Sequence, residues 1–315
     1  MSSQTTVSVV GSGTMGAGLA VQFARHGHPV TLVDHRQSNL DDAIERIVDA
    51  AELLSKESCA ETTAEALLER IEFTLDREAG VSSAELVVES VSEDLAVKRE
   101  LFRSIGEAAP DTAILASNTS GLRITDIAAG AERYAERIVG CHWWNPPYIM
   151  PLVELVPGEE TSDATVDELE SLVKSVDRTP IRLQRDAAGF VWNRIQFAVL
   201  RECIHIVDEG IASVEAVDAA VRDGYALRTA TVGPFETVDI SGVDLFETIG
   251  EELYPELSAR QTPSERFDEL LTAGREGVDA GAGFYDYDES LETVVHRRDR
   301  KIARLRNALG ATDEQ

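Results

Sequence analysis

A glycine-rich turn near the amino terminus constrains what this chain can fold into more than any other feature. The apolar run Val7–Val10 leads directly into Gly11-Ser12-Gly13-Thr14-Met15-Gly16, and the residues that follow have the apolar spacing of a helix. In such a turn the first glycine permits a tight bend, the second lets the backbone approach a pyrophosphate, and the third allows close packing of helix and strand. The pattern predicts a dinucleotide site of Rossmann type, formed by Gly11, Gly13, Thr14, Met15 and Gly16.

Asp34 selects the kind of dinucleotide that this site would hold. It ends the second predicted strand, residues 29–34, and lies 18 residues beyond Gly16. A carboxylate at that point accepts hydrogen bonds from the adenosine ribose and repels a 2′-phosphate, so NAD is favoured over NADP. Arg36 leaves NADP as the alternative cofactor. An ordinary glycine-rich turn, with Asp34 as a loop acid, is the non-functional alternative.

Short β-branched runs alternate with amphipathic helices through the first part of the chain. Strands are predicted at residues 7–10, 29–34, 71–75, 86–89, 113–117, 138–142, 152–156 and 181–183. This alternation predicts an α/β fold: a doubly wound, mainly parallel sheet covered by helices on both faces. From about Asp186 the strand pattern stops, and a long apolar helix is predicted over residues 190–208. We therefore expect an N-terminal Rossmann domain, residues 1–185, and a C-terminal all-helical domain, residues 186–315.

The charge balance excludes several classes of partner. The chain has 29 basic and 57 acidic residues, a formal net charge of −28. A field of that sign repels nucleic acid and anionic membranes, so neither is expected as a partner. Concentrated salt screens the repulsion among so many negative charges. The net charge therefore favours the interpretation that the protein is halophilic. An acidic enzyme without salt adaptation is the alternative.

The cysteines and the apolar runs bear on location. No apolar run reaches the length of about 18 residues typical of a membrane span, and the first predicted strand begins too early for a secretory signal. The three cysteines, Cys59, Cys141 and Cys203, are widely spaced and do not form a metal-ligand pattern. Reduced thiols of this kind favour the cytoplasm, and no metal is expected.

His142 and Glu154 are the strongest candidates for proton transfer. Ligands of open parallel sheets bind beyond the carboxyl ends of the strands, and His142 lies at such an end. Glu154 lies 12 residues later inside an apolar run, where an unpaired carboxylate would be costly to bury. Two neighbouring strands could bring them together, and a carboxylate favours the protonated form of an imidazole. The alternatives are a histidine with a purely structural role and a Glu154 that faces solvent.

Several motifs in order make the chain resemble the L-3-hydroxyacyl-CoA dehydrogenase family over nearly its full length. Besides the glycine-rich turn, the motifs are Val97-Lys98-Arg99-Glu100-Leu101-Phe102, Ser117-Asn118-Thr119-Ser120, His142-Trp143-Trp144-Asn145-Pro146, Leu152-Val153-Glu154, Gly189-Phe190-Val191-Trp192-Asn193-Arg194 and Gly281-Ala282-Gly283-Phe284-Tyr285. The last two extend the resemblance into the predicted helical domain.

The resemblance implies a role for each matching residue. His142 would be the base that takes the hydroxyl proton, and Glu154 would orient it. Ser120 and Asn193 would bind the substrate oxygen. Glu93, Lys98 and Asn118 would contribute to the cofactor site, the first two near the nicotinamide. The resemblance also implies a homodimer formed through the helical domain, and a small-molecule substrate, an acyl-CoA ester.

Related branches of the family leave the substrate open. A short-chain 3-hydroxyacyl-CoA is the leading expectation. Some motifs are closer to the L-gulonate 3-dehydrogenase branch, which is lambda-crystallin-like, so a free hydroxy acid such as gulonate or carnitine is the alternative. Many acyl-CoA members carry a lysine-rich hairpin for the CoA phosphates, whereas residues 44–61 here offer only Arg46 and Lys56 among acids. A catalytically silent, crystallin-like NAD-binding protein is a further alternative.

Overall fold

The computed structural model describes residues 4–57 and 62–310 of the chain. Cys59 and the end of the acidic segment 44–61 lie outside the described residues. The chain divides into two compact units: Met1–Asn193 together with Val295–Gln315, and Arg194–Val294. The boundary expected at residues 185 and 186 stays a prediction.

The first unit is built on one eight-stranded sheet. Its strands are β1 (Val7–Val10), β2 (Val30–Val33), β3 (Ile71–Thr74), β4 (Leu86–Glu89), β5 (Ile114–Ser117), β6 (Ile138–Trp143), β7 (Leu152–Pro157) and β8 (Thr179–Arg182). Their order is β3-β2-β1-β4-β5-β6-β7-β8, and every neighbouring pair is parallel except β6 with β7. The predicted doubly wound, mainly parallel sheet is confirmed.

Helices cover both faces of this sheet. They are α1 (Thr14–Arg25), α2 (Gln37–Glu57), α3 (Ala64–Leu68), α4 (Arg77–Val81), α5 (Leu95–Ala108), α6 (Ile124–Ala128) and α7 (Asp163–Ser175), with a 3₁₀ segment at Glu132–Arg137. Successive strand residues point to opposite faces, so Val9 packs in a core cluster with α1, α2 and α7, while Val10 packs in another with α5 and α6. Two apolar cores therefore hold the sheet between two helical layers.

Helices make up the rest of the chain. They are α8 (Trp192–Asp208), α9 (Val214–Ala219), α10 (Leu227–Thr229), α11 (Pro234–Ser241), α12 (Val243–Leu253), α13 (Glu265–Thr272) and α14 (Leu291–Gly310), with a π-helical segment at Ala220–Ala226 and 3₁₀ segments at Tyr254–Glu256 and Val278–Ala280. The predicted helical C-terminal domain is confirmed. Among residues 4–57 and 62–310, no helix combines the length and apolar composition that crossing a bilayer requires.

The start of α8 differs from the prediction. The apolar pattern predicted a helix from Phe190, but α8 begins at Trp192. Gly189 and Phe190 have φ angles of +75° and +50°, in the left-handed region, and a right-handed helix cannot include them. For a bulky residue such as Phe190 this conformation is an outlier, and tertiary contacts of the segment have to hold it.

Candidate active site

The glycine-rich turn has the geometry of a dinucleotide site. Gly11 has a φ of +104°, and a Cβ there would overlap the Ser90 carbonyl; one on Gly16 would overlap the Gly11 carbonyl. Gly13 is the N-cap residue of α1 and has no side chain to cap it, so the helix N-terminus presents backbone N–H groups to an anion. A cavity of about 1140 Å³ extends from this turn to Asp34. The shape, the open backbone donors and the carboxylate fit the adenosine and pyrophosphate of NAD.

Asp34 also holds the turn in place. Its Oδ2 accepts hydrogen bonds from the Ser12 N–H at 3.0 Å and the Ser12 hydroxyl at 2.8 Å. Its Oδ1 accepts from the backbone N–H groups of His35 and Arg36 and from Asn39 Nδ2. Burial alone would raise the pKa of this carboxyl, but the hydrogen bonds from Ser12, Asn39 and Arg36 outweigh it and lower that pKa. Asp34 is therefore ionised near neutral pH, as a ribose-binding acid has to be.

A buried ion pair lies beyond the end of β4. Lys98 is 1% exposed, and its Nζ lies 2.5 Å from Glu89 Oε1 and 3.4 Å from Glu93 Oε2. Glu89 Oε2 accepts a hydrogen bond from the Ser117 hydroxyl at 2.6 Å. The sequence placed Lys98 and Glu93 in one site, and the structure brings them together. Glu89 is a polar residue at a strand end, where the sequence analysis expects site residues, and the structure identifies it as the buried partner of Lys98.

Glu93 fixes the loop that carries Ser120. Its Oε1 accepts hydrogen bonds from the Thr119 hydroxyl and from the backbone N–H groups of Ser120 and Gly121. Burial would raise the pKa of Glu93, but these bonds and the charge of Lys98 lower it. The carboxylate is thus an anchor for the loop as well as a neighbour of Lys98.

The predicted substrate-binding residues lie close together. Asn193 Nδ2 donates a hydrogen bond of 2.5 Å to the backbone carbonyl of Ser120.

Asn118, a predicted cofactor residue, connects three strand ends. Its Oδ1 accepts a hydrogen bond from the Trp143 N–H at 2.9 Å, and its Nδ2 lies 3.4 Å from Ser90 Oγ. The amide of Asn118 therefore connects the end of β5 with the end of β6 and with Ser90, which follows β4.

His142 and Glu154 are directly paired. They occupy opposed positions of the antiparallel strands β6 and β7, and His142 Nδ1 lies 2.7 Å from Glu154 Oε2. Both side chains are buried. Since this hydrogen bond uses Nδ1, the other ring nitrogen, Nε2, is directed away from the carboxylate and can exchange a proton with a substrate.

The second oxygen of Glu154 caps helix α8. Oε1 accepts hydrogen bonds from the backbone N–H groups of Val191 at 2.9 Å and Trp192 at 3.1 Å. Burial would raise the pKa of Glu154, but the hydrogen bonds from His142, Trp192 and Val191 outweigh it and lower that pKa. Residues 188–191 contain no Ser, Thr, Asp or Asn, so the missing local N-cap is the signal by which the sequence could have predicted a distant one.

Aromatic rings surround the imidazole. The ring of Phe190 lies 5.6 Å from that of His142 and the ring of Trp144 lies 6.1 Å from it, centroid to centroid. Trp144 packs edge to face on Trp192, with the centroids 3.7 Å apart. The sequence motifs contained these rings, but no pattern predicted that they would meet beside His142. Apolar rings beside the imidazole lower the local dielectric constant, which strengthens the electrostatic interaction of His142 with Glu154.

Two family comparisons cover most of the chain. Residues 6–187 match the family described as 3-hydroxyacyl-CoA dehydrogenase, NAD binding domain. Residues 189–287 match the family described as 3-hydroxyacyl-CoA dehydrogenase, C-terminal domain.

Individual relatives have different substrates in their names. A 5-formyl-3-hydroxy-2-methylpyridine 4-carboxylate 5-dehydrogenase of Mesorhizobium japonicum is 34% identical over 96% of this chain and 97% of its own. A crystal structure of an enzyme of that activity, described as an NAD⁺-dependent dismutase, superposes with a TM-score of 0.90 and 32% identity over 98% of this chain and 99% of its own. The (S)-3-hydroxybutyryl-CoA dehydrogenase of Ralstonia eutropha superposes with a TM-score of 0.73 and 31% identity over 91% of this chain and all of its own.

Proposed function

Because this chain belongs to the 3-hydroxyacyl-CoA dehydrogenase family and is thus an NAD-dependent oxidoreductase, we propose that it oxidises a substrate hydroxyl with His142 as the base. The observation that supports this most is the 2.7 Å hydrogen bond between His142 and Glu154 at the carboxyl end of β6. When bound, NAD accepts the hydride from the carbon that carries the hydroxyl. His142 Nε2 takes the hydroxyl proton in the same step.

The surrounding residues position this exchange. The ionised Glu154 holds Nδ1 as the protonated nitrogen and stabilises the imidazolium that forms. Ser120, on the loop that Glu93 anchors, and Asn193, in the first turn of α8, bind the substrate oxygen. Lys98 and Glu93 bind the nicotinamide end of NAD, Asn118 contributes to the same cofactor site, and the other end is bound by Gly11, Gly13, Thr14, Met15, Gly16 and Asp34.

The proposed substrate is a short-chain 3-hydroxyacyl-CoA, and the product is the 3-ketoacyl-CoA. The family as a whole supports this choice, as does the match to a 3-hydroxybutyryl-CoA dehydrogenase over all of that enzyme.

A free, CoA-independent carboxylic acid is a second candidate, and two observations favour it. The higher TM-score belongs to a pyridine-carboxylate dehydrogenase. In addition, the few cations on α2 already have acidic neighbours: Lys56 Nζ lies 2.8 Å from Glu52, and Arg46 lies 3.9 Å from Asp42. Little positive charge is therefore left on this helix for CoA phosphates.

A substrate panel tests both candidates. NADH formation is measured in molar KCl with 3-hydroxybutyryl-CoA, L-gulonate, carnitine and 5-formyl-3-hydroxy-2-methylpyridine 4-carboxylate. We expect 3-hydroxybutyryl-CoA to give the highest kcat/KM. A higher value with one of the three acids would establish the second candidate. If none of the four reduces NAD, both candidates fail and a catalytically silent protein is favoured.

Three further properties complete the proposal. The chain forms a homodimer through its helical unit, which exposes large apolar side chains such as Phe235 and Ile240. The protein is adapted to concentrated salt, because −28 charges repel one another least when they are screened. It acts in the cytoplasm, for which the reduced Cys141 and Cys203 are the support.

A further inference from the structure

The indole N–H of Trp144 is a buried donor without a hydrogen-bond partner. Among the described residues, the buried side-chain atoms without a partner are Ser8 Oγ, Arg25 Nε, Trp144 Nε1 and Asp186 Oδ1. Leaving such a donor unpaired destabilises a fold, so each one in a native structure calls for a physical reason. Trp144 lies against His142, with the ring centroids 6.1 Å apart, and this position indicates the reason.

The neighbouring tryptophan shows that the fold can satisfy an indole here. Trp143 Nε1 donates to Cys141 Sγ at 3.1 Å, and its ring is buried in the core. Trp144 follows the last residue of β6, and its ring packs on Trp192, whose own backbone N–H donates to Glu154. Trp144 therefore belongs to the assembly around the proposed base, and its donor is left unpaired within it.

We propose that Trp144 determines substrate specificity: its Nε1–H donates a hydrogen bond to a carbonyl or carboxylate oxygen whose carbon lies two or three bonds from the reacting carbon. An indole nitrogen is a donor only, so the substrate has to supply an acceptor. The ring centroids of His142 and Trp144 lie 6.1 Å apart, a spacing that one small molecule can bridge when its hydroxyl-bearing carbon and the carbon of its acceptor group are two or three bonds apart. The identity of the reacting carbon rests on the proposed function.

Both substrate candidates carry such an oxygen. In a 3-hydroxyacyl-CoA it is the thioester carbonyl, two carbons from the hydroxyl-bearing carbon. In a free hydroxy acid it is the carboxylate. In the pyridine compound named above, addition of water to the formyl group gives the hydroxyl-bearing carbon, and the carboxylate lies on the adjacent ring position. The inference therefore concerns the acceptor that these molecules share, and the experiment has to separate the thioester from the free acid.

Trp144→Phe removes the donor and keeps an aromatic ring. We expect the KM for the hydroxy substrate to rise about 10-fold, because the loss of one hydrogen bond weakens binding by about that factor. The kcat and the KM for NAD should stay within twofold of the wild-type values. The variant should lose less melting temperature than Trp143→Phe, because both substitutions remove the same ring volume but only the Trp143 indole N–H is paired. Trp143→Phe is the matched control: it removes an indole N–H that is already paired, so it should lower the melting temperature and leave the substrate KM unchanged.

A direct readout uses the fact that the chain has three tryptophans. Labelling with ¹⁵N-tryptophan gives three indole N–H signals, and the one that Trp144→Phe removes is assigned to Trp144. Acetoacetyl-CoA and free acetoacetate are then added separately to the wild-type protein with NAD. We expect the Trp144 signal to shift with at least one of them, and the arm that shifts it identifies the thioester or the free acid.

The outcomes separate this inference from the proposed function. If neither probe moves the Trp144 signal, or if Trp144→Phe leaves the substrate KM unchanged, the inference is wrong. NADH formation by the wild type without a shift overturns the inference and leaves the proposed function standing. A shift without NADH formation from any of the four compounds of the substrate panel supports the inference and contradicts the proposed oxidation.

Discussion

The two compact units differ in which side chains are in an unfavourable environment: charged side chains are buried in the first unit, and large apolar side chains are exposed in the second. In the first unit, charged groups lie inside: Lys98 is 1% exposed and Glu154 is fully buried, and each has a charged or hydrogen-bonding partner. In the second unit, large apolar groups lie outside: Phe235 is 85% exposed and Ile240 is 71% exposed. A buried charge is tolerated only when it is paired, and an exposed apolar patch marks a surface that another molecule covers. We infer that the first unit is organised around a reaction and the second around an interface.

The largest expected effect tests the reaction. His142→Gln should lower kcat by about 10²- to 10⁴-fold, because a neutral amide cannot accept the hydroxyl proton. The affinity for NAD, measured by titration, should stay the same. His28→Gln is the matched control, since His28 is also buried in the first unit but bonds to the backbone of Thr5. A His142→Gln enzyme that keeps more than about a tenth of native kcat would show that another group takes the proton.

Glu154→Gln sharpens the same test. It should also lower kcat, because a neutral amide no longer stabilises the imidazolium. The double variant should lose little more than His142→Gln alone, since the two side chains act as one unit. If the factor by which kcat falls in the double variant is the product of the factors for the two single variants, Glu154 serves mainly to cap α8.

The next effect concerns the buried acid of the cofactor site. Asp34→Asn should raise the Kd for NAD about 10- to 100-fold, because hydrogen bonds to an ionised carboxylate are stronger than those to a neutral amide. It should also lower the ratio of the Kd for NADP to the Kd for NAD, because the charge that repels a 2′-phosphate is removed. The Kd values for NAD and NADP are measured by isothermal titration calorimetry. Asp94→Asn is the control, since Asp94 caps α5 and asparagine caps helices equally well. An unchanged Kd would mean that Asp34 only holds the turn through Ser12.

A smaller effect is expected at the interface of the second unit. Phe235→Asp should weaken the proposed dimer about 30-fold, the loss typical of an aromatic anchor, as measured by sedimentation equilibrium. Leu305→Asp in the first unit, at a residue that is 51% exposed, should leave the dimer intact. If the wild-type protein sediments as a monomer at micromolar concentration, the inference that the second unit is organised around an interface is wrong.

The smallest effect concerns both units together. The melting temperature should rise by several degrees from 0.1 to 2 M KCl, because screening relieves the repulsion among acidic side chains. Near pH 5, close to the sequence pI of about 4.5, the same salt step should have much less effect, since the net charge is small there. A melting temperature that falls with KCl at pH 7 would contradict salt adaptation.

Much of the fold could be predicted because it depends on neighbours along the chain. The glycine-rich turn, the alternation of strands with helices and the change to helices alone are expressed in local periodicity and backbone sterics. Even the pairing of His142 with Glu154 was within reach, because two apolar runs this close in sequence can form adjacent strands. The helix start at Phe190 was predicted wrongly, because an apolar pattern does not reveal a left-handed φ.

The sequence by itself therefore determined the Rossmann sheet, the helical unit, the family and the strand ends where a site would form. Only the tertiary structure decided the partners: Lys98 with Glu89, and Glu154 with backbone groups 37 and 38 residues later. It also decided that the Trp143 indole is paired and the Trp144 indole is not. The physical reason is that a buried polar group has to find its partner in space, and packing between distant elements sets which groups come within 3 Å of each other.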